Sequence, residues 1–386
     1  MKACQRRFAG SAALALFAVI LAGPIAAGAT PATTAPRALP DREALRDCAL
    51  FLSGRARPGG DQRRNAIIAQ PFYTHVATSL ARSWKAYASG HLEPMRRWMH
   101  RALPHTRRAT VFYPFSGPDF PNAYAAYPEA ETYLLIGLEP AGTLPSIEGM
   151  GDRNIARGML FLHQLLETFT ADNYFHTKEM ALFNAWSPSI AGTSGLLLAF
   201  LGLMGFEPES IRPFVIDYNG EERTLSRDVP EHRDALDKGE HSVEIAFTVP
   251  ETGARKRIVY LSADLSNMRA IDRNPGIFIY LERRMPEDVL IKAASYLLHL
   301  DNYRSMKRLI MRRARTIVMD DTGPRIAEFG PEWTITPYGE YRGTIELFAN
   351  RTQPELTELY RARNPAKLPF AFGYGVGSRI MIITRR

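Results

Sequence analysis

The stretch TYLLIGLEP at residues 132–140 limits the fold more than any other part of the chain. It is almost continuously apolar, too short for an ordinary helix, and shows neither a period of two nor one of 3.6. Such a run reads as a strand buried on both faces, and a strand covered on both faces needs helices packed above and below its sheet. Helical patterns supply that cover. A helix is expected from Asp41 to about Ser53. Residues 71–103 read as two helical pieces broken at Gly90, with Phe72, Val76, Leu80 and Trp84 at steps of four in the first and Met95, Trp98, Met99 and Leu103 in the second. Arg153 to Phe169 follows the same spacing through Ile155, Met159, Leu162 and Leu166. AGTSGLLLAFLGLMGF (191–206) is too short and too rich in glycine for a membrane span and reads as a buried helix.

Other segments read as strands. ATVFYPF (109–115) and RTIVM (315–319) are short β-type runs, and WTITPYG and GSRIMIITRR follow near the end of the chain. Residues 213–282 change to β character through FVIDYNG, HSVEIAFTV, RKRIVYLSADL and GIFIYLE, with a hairpin at 242–263 about Glu251-Thr252-Gly253. A helix is predicted from Pro286 to about Ala314, interrupted at Asp301-Asn302, and another near 353–362. The expected class is α+β: a mixed sheet or two sheets with flanking helices, and a β-rich hairpin region at 213–282. Residues 95–120 and 306–326 share one grammar of basic helix, short strand and [Ser/Thr]-Gly-Pro. An internal duplication of 95–170 against 300–365 would account for it, and would place the two turns at equivalent strand ends.

The first residues point to export. Lys2, Arg6 and Arg7 precede the uncharged apolar stretch from Phe8 to Ala22, Pro24 breaks it, and Ala27-Gly28-Ala29 offers small residues for cleavage after Ala29. The apolar stretch falls short of the roughly 20 residues of a spanning helix. Cys4 precedes it, which argues against lipidation. Residues 1–29 are therefore expected to be a signal peptide, 30–40 a flexible Pro- and Thr-rich tether, and 41–386 one large domain or two closely packed halves. The expected location is periplasmic or extracellular. Removing residues 1–29 lowers the formal charge from +8 to +5, a mild and scattered surplus that argues against nucleic acid as a partner. One cysteine then remains, Cys48, so no intramolecular disulfide is expected. It reads as a small core residue.

No Gly-x-Ser-x-Gly, His-Glu-x-x-His, phosphate loop or dinucleotide fingerprint is present. His163/Glu167 and His176/Glu179 read as ordinary polar pairs, so no metal and no cofactor are expected. The basic run from Arg304 to Arg315 reads as a solvated helix face. What remains is a set of polar residues at predicted strand ends: Ser116 and Asp119, then Glu139, then Asp320, Asp321 and Thr322. Each has a structural alternative as a turn or cap residue, with Asp119 capping a helix near Pro121 and Asp321 bonding its own turn. Together they are the candidate ligand-binding residues, because ligands of sheets flanked by helices bind beyond the carboxyl ends of strands. Aromatic residues crowd the same segments.

VFYPFSGPDF, TYLLIGLEPAG, SYLLH, MDDTGP and FGYG together resemble a family of exported bacterial proteins, some of them lipoproteins, that carry a YPFSGPDF-type motif. That family often has Asp-Asp-Ser-Gly-Ile-Pro after the strand at 315–319. Here Asp320-Asp321-Thr322-Gly323-Pro324 keeps the acidic pair and the hydroxyl and lacks one residue. The resemblance runs from about residue 70 onward and implies export and a single fold unit, with no activity, cofactor or catalytic residue to carry over. Two functions stay open. One is a non-catalytic protein binding a small molecule or an envelope component. The other is a hydrolase of envelope or imported material, in which two of Asp119, Glu139, Asp320 and Asp321 face one cleft as a general acid/base pair, or Ser116 is a nucleophile with no base identified.

Overall fold

In a computed structural model of the chain, residues 40–59, 61–103, 109–143, 151–176, 179, 180, 183, 192–269, 275–375 and 377–386 are described. The expected signal peptide, and all of the expected tether but its last residue, lie outside them. The part of the chain from Ala38 onward forms one unit. Its centre is a ten-stranded mixed sheet in the order β4-β3-β5-β6-β2-β1-β7-β8-β10-β9.

TYLLIG forms β2 (Thr132–Gly137), buried along its whole length. It lies parallel to β1 (Thr110–Tyr113) on one side and β6 (Ala254–Ser262) on the other. β1 is also parallel to β7 (Asp288–Ile291), and β7 to β8 (Thr316–Met319). Five parallel strands therefore end on one edge. Antiparallel strands extend both sides: β5 (Ser242–Val249), β3 (Glu207–Ile216) and β4 (Glu222–Thr224) beyond β6, and β10 (Arg379–Arg385) and β9 (Trp333–Gly339) beyond β8. The hairpin expected at 242–263 is β5–β6, closing where Val249 faces Ala254.

Alternation of side chains sorts each strand onto two cores. Val111, Tyr133, Leu135 and Ile258 face one helical layer, and Phe112, Leu134, Ile136 and Val259 face the other. The first layer contains α1 (Arg42–Leu52), α3 (Pro71–Tyr87), α4 (Glu93–Ala102), α5 (Phe120–Ala126), α6 (Asp152–Asp172) and α7 (Thr193–Met204), with the short α2 (Gln62–Ile68) beside α3. α7 is the buried apolar helix expected at 191–206; its residues from Thr193 to Leu203 are all buried. The second layer contains α9 (Gly276–Arg284), α10 (Arg304–Arg313) and α11 (Pro354–Arg363), while α8 (Pro230–Lys238) precedes β5. Among the described residues no helix is long and apolar enough to cross a membrane.

Three segments depart from expectation. GIFIYLE is the helix α9, not a strand, and Ile277, Tyr280 and Leu281 bury the i, i+3, i+4 face of that helix. The helix expected from Pro286 begins as β7, because the four residues Asp288–Ile291 are too few to show a period and pairing with β1 and β8 decides them. Gly90 does not break the helix; the backbone widens into a π-helical turn at Ala88–Leu92 and continues as α4. The two [Ser/Thr]-Gly-Pro turns do lie on one edge of the sheet. Their strands have different neighbours, however: β1 lies between two parallel strands, β8 between parallel β7 and antiparallel β10. The repeated topological unit is β1–α5–β2 against β7–α10–β8, which matches β1 with β7.

Candidate functional site

From β1 the chain steps to β2 and later to β6 in one direction across the sheet, then returns to β7 and β8 in the other. The reversal falls between β1 and β7. Loops leaving neighbouring parallel strands in opposite directions open a crevice at their carboxyl ends, and here a cleft lies at that point. It encloses about 750 Å³ of free space, part of it open to solvent. Ser116, Asp119, Glu139, Lys292 and Ser295 supply its polar lining.

Beneath the cleft lies a buried polar network. Asp119 caps α5, accepting from the Asn122 backbone N–H at 3.4 Å. Its Oδ1 also accepts from Asn122 Nδ2 at 2.7 Å, and its Oδ2 accepts from Tyr113 Oη at 2.9 Å and Lys292 Nζ at 2.8 Å. The Asp119 and Lys292 side chains are 3% and 0% exposed. Lys292 Nζ donates as well to the Asn173 carbonyl. Asn122 reaches Tyr87 Oη and Asn173 Oδ1, each at 2.9 Å, and so ties α3, α5 and the end of α6 together. Burial, reinforced by the Asp119 charge, holds the Tyr113 hydroxyl well above its usual range, so it remains a donor.

The π-helical turn brings His91 inward, where its Nε2 lies 2.8 Å from Asn122 Oδ1 and its ring stacks on Tyr87. Burial lowers its pKa to about 4. The unfolded imidazole protonates near its ordinary value of about 6.5, so the native state binds fewer protons between the two values. Stability is therefore lost as pH falls from about 6.5 toward 4. We predict that His91→Gln, which keeps a donor to Asn122, removes roughly 2–3 kcal/mol of that acid loss. Urea midpoints at pH 7 and pH 4.5 check it, and equal losses in wild type and variant would refute it.

Asp320, Asp321 and Thr322 do not line the cleft. They are 0% exposed and are used up in holding its wall. That wall, Lys292-Ala293-Ala294-Ser295-Tyr296, carries left-handed backbone at Ala293 (φ 51°), Ser295 (φ 50°) and Tyr296 (φ 54°). Non-glycine residues in this conformation persist only where their surroundings dictate it. Asp320 Oδ2 accepts from the Ala293 N–H, Thr322 Oγ1 from the Ala294 N–H, and Tyr374 Oη from the Ser295 N–H. Asp321 Oδ2 accepts from Tyr296 Oη at 2.6 Å while its Oδ1 accepts from Arg379 Nε at 2.6 Å. The expectation that Asp321 bonds its own turn is corrected: Asp320 does so, accepting from the Thr322 N–H. Gly373 explains the FGYG segment, since a Cβ there would lie 2.4 Å from Asp320 Oδ2.

Of the six candidates from the sequence, Ser116, Asp119 and Glu139 meet at one cleft, and Asp320, Asp321 and Thr322 brace it from behind. Gly137 lets the first two turns approach, because a Cβ there would sit 2.8 Å from Gly117 Cα and 2.7 Å from Glu139 Oε2. Lys292, Ser295, Asn122 and Asn173 were not foreseen. Lys292 had one signal, its place directly after a short apolar run; the two asparagines had none.

The remaining features keep ordinary roles. His163 pairs with Glu167 at 3.1 Å, while His176 pairs with Asp172 and not with Glu179. Among the described residues no group of three or more His, Cys, Asp or Glu could hold a metal. Lys307, Arg312 and Arg315 of the basic run pair with Glu328, Glu282 and Glu287. Burial, with the Asp47 charge, pushes the pKa of the half-buried Cys48 thiol up to about 12, which favours the protonated form. No family model, curated protein or solved structure matches the chain.

Proposed function

We propose that this is an exported protein that binds a small organic molecule, without catalysis, in the cleft between the carboxyl ends of β1 and β7. The observation that carries the reading is the position of the cleft at the reversal of strand order, on a wall of strained backbone held by three buried side chains. Export rests on the charged, apolar and small-residue pattern of residues 1–29.

The hydrolase reading has one point in favour, since Asp119 and Glu139 line the same cleft. Asp119, however, spends both oxygens on Asn122, Tyr113 and Lys292. A carboxylate so engaged is poorly placed to take or give a proton. Ser116 Oγ donates to main-chain carbonyls of Gly117 and Ile136, and no base is among these partners.

A thermal-shift screen of the purified protein against sugars, peptides, amines, organic acids and lipids tests the proposal. A ligand present at a hundred times its Kd should stabilise the fold by about 2.7 kcal/mol. Ala263→Trp, at a half-buried position lining the cleft, should abolish the shift while leaving the unliganded Tm near that of wild type. If no compound shifts the Tm, or if the variant responds as wild type does, the cleft is not the binding site.

A further inference from the structure

The charges around the cleft do not balance, and the imbalance bears on what fills it. Asp119, Glu139 and Lys292 are the ionisable carboxylates and amine of its lining. Asp119 and Lys292 neutralise one another in a buried pair 2.8 Å apart, so a ligand meets them as a polar floor of no net charge. Glu139 is left over. It follows β2 on a segment pinned by Tyr260 Oη, which donates to the Glu139 carbonyl at 2.7 Å. Burial raises the pKa of its carboxylate, opposed by hydrogen bonds from the N–H groups of Glu139 itself and Leu138, and no Lys or Arg among the described residues forms an ion pair with it.

A carboxylate half removed from water and without a counter-charge among the described residues is an unfavourable arrangement that a cation would relieve. The neighbouring surface suits one. Phe115 and Tyr303 line the same cleft, with ring centroids 5.6 Å apart in an edge-to-face pair. Aromatic faces attract ammonium and guanidinium groups, and more strongly where water is excluded. The charge of Asp264 acts on Tyr303 and adds to the negative field on that side. Ser116 and Ser295 bring hydroxyl oxygens able to accept from an N–H.

We infer that the ligand is a small organic cation, a primary ammonium or a guanidinium, whose charge pairs with Glu139 and whose apolar flank lies against Phe115 and Tyr303. This rests on the cleft being the binding site. An anionic ligand would meet Glu139 unscreened, and a neutral polyol would leave its charge unpaired.

The test uses three probes of one size, butylammonium, 1-butanol and butyrate, titrated into the purified protein and into Glu139→Gln and followed by ligand-observed NMR. Butylammonium should bind at least tenfold more tightly than the other two. Glu139→Gln should erase that preference without lowering the unliganded Tm, because glutamine can still accept from the two N–H groups that hold Glu139 and brings no charge out of water. Ala263→Trp should abolish binding of all three. If 1-butanol or butyrate binds as well as butylammonium, or if Glu139→Gln keeps the preference, the inference is overturned; loss of binding in Ala263→Trp would then leave the cleft itself in place. If none of the three binds, the inference is also overturned. Binding that survives Ala263→Trp removes the cleft and the cation together.

Discussion

Replacing Lys292 with Met should cost the fold about 3–5 kcal/mol, the size expected when one partner of a buried ion pair is removed. The side chain is fully buried, and its ammonium is the only positive charge bonded to Asp119 among the described residues. Without it the carboxylate keeps Tyr113, Asn122 and its capping bond, but its charge stays in a low-dielectric site with nothing opposite. The loss should appear as a lower urea midpoint at unchanged slope. Adding Asp119→Asn removes the stranded charge while retaining a helix cap, so the double variant should recover more than half of the loss. A single variant within about 1 kcal/mol of wild type would show that the pair is not a structural element.

Arg379→Met should have an effect of the same order, about 3–5 kcal/mol, for a related reason. Arg379 and Asp321 are both 0% exposed, with Arg379 Nη2 and Nε at 2.5 and 2.6 Å from Asp321 Oδ1. Loss of the guanidinium leaves Asp321 with Tyr296 as its side-chain donor. Burial already holds the Asp321 carboxyl up at about 6 while the guanidinium opposes the rise, so without Arg379 it should titrate higher still, the variant's native state should bind more protons than that of wild type, and the deficit should grow as pH rises above about 6. The damage should also be local in one respect. Tyr296 is the last residue of the strained wall, so amide exchange should quicken first at residues 293–296. Uniform loss of protection across the sheet, with no earlier opening there, would mean that Asp321 does not brace the wall.

These two ion pairs also show where sequence reading succeeds and where it stops. TYLLIGLEP was readable as a central strand because burial on both faces leaves a local mark, an unbroken apolar run. α7 was readable for the same reason, and α1, α3 and α6 because a helix with one buried face repeats every three to four residues. DVLI carried no such mark. Four residues fit a strand or a turn of helix equally, so nothing local marks Lys292 as a residue buried against Asp119. The six candidate residues were correctly placed at strand ends, and three of them do meet at the cleft. Asp320, Asp321 and Thr322 carry the same sequence mark as Ser116, Asp119 and Glu139, although they are fully buried and hold the cleft wall from behind. Polarity at a strand end is visible in sequence; the partner that holds the Asp321 side chain, Arg379, lies 58 residues further on.

By itself, then, the sequence determined the elements and the class: apolar runs and their periods, set by backbone geometry, marked most helices and strands and required a sheet between helical layers. The tertiary structure alone decided the order of the strands. Whether β7 returns beside β1 or extends the sheet beyond β6 depends on pairing between segments more than 170 residues apart, whose cost and reward are set by the whole chain and leave no local trace. That one choice puts the reversal between β1 and β7, and with it the cleft, the Asp119–Lys292 pair beneath it and Glu139 at its side.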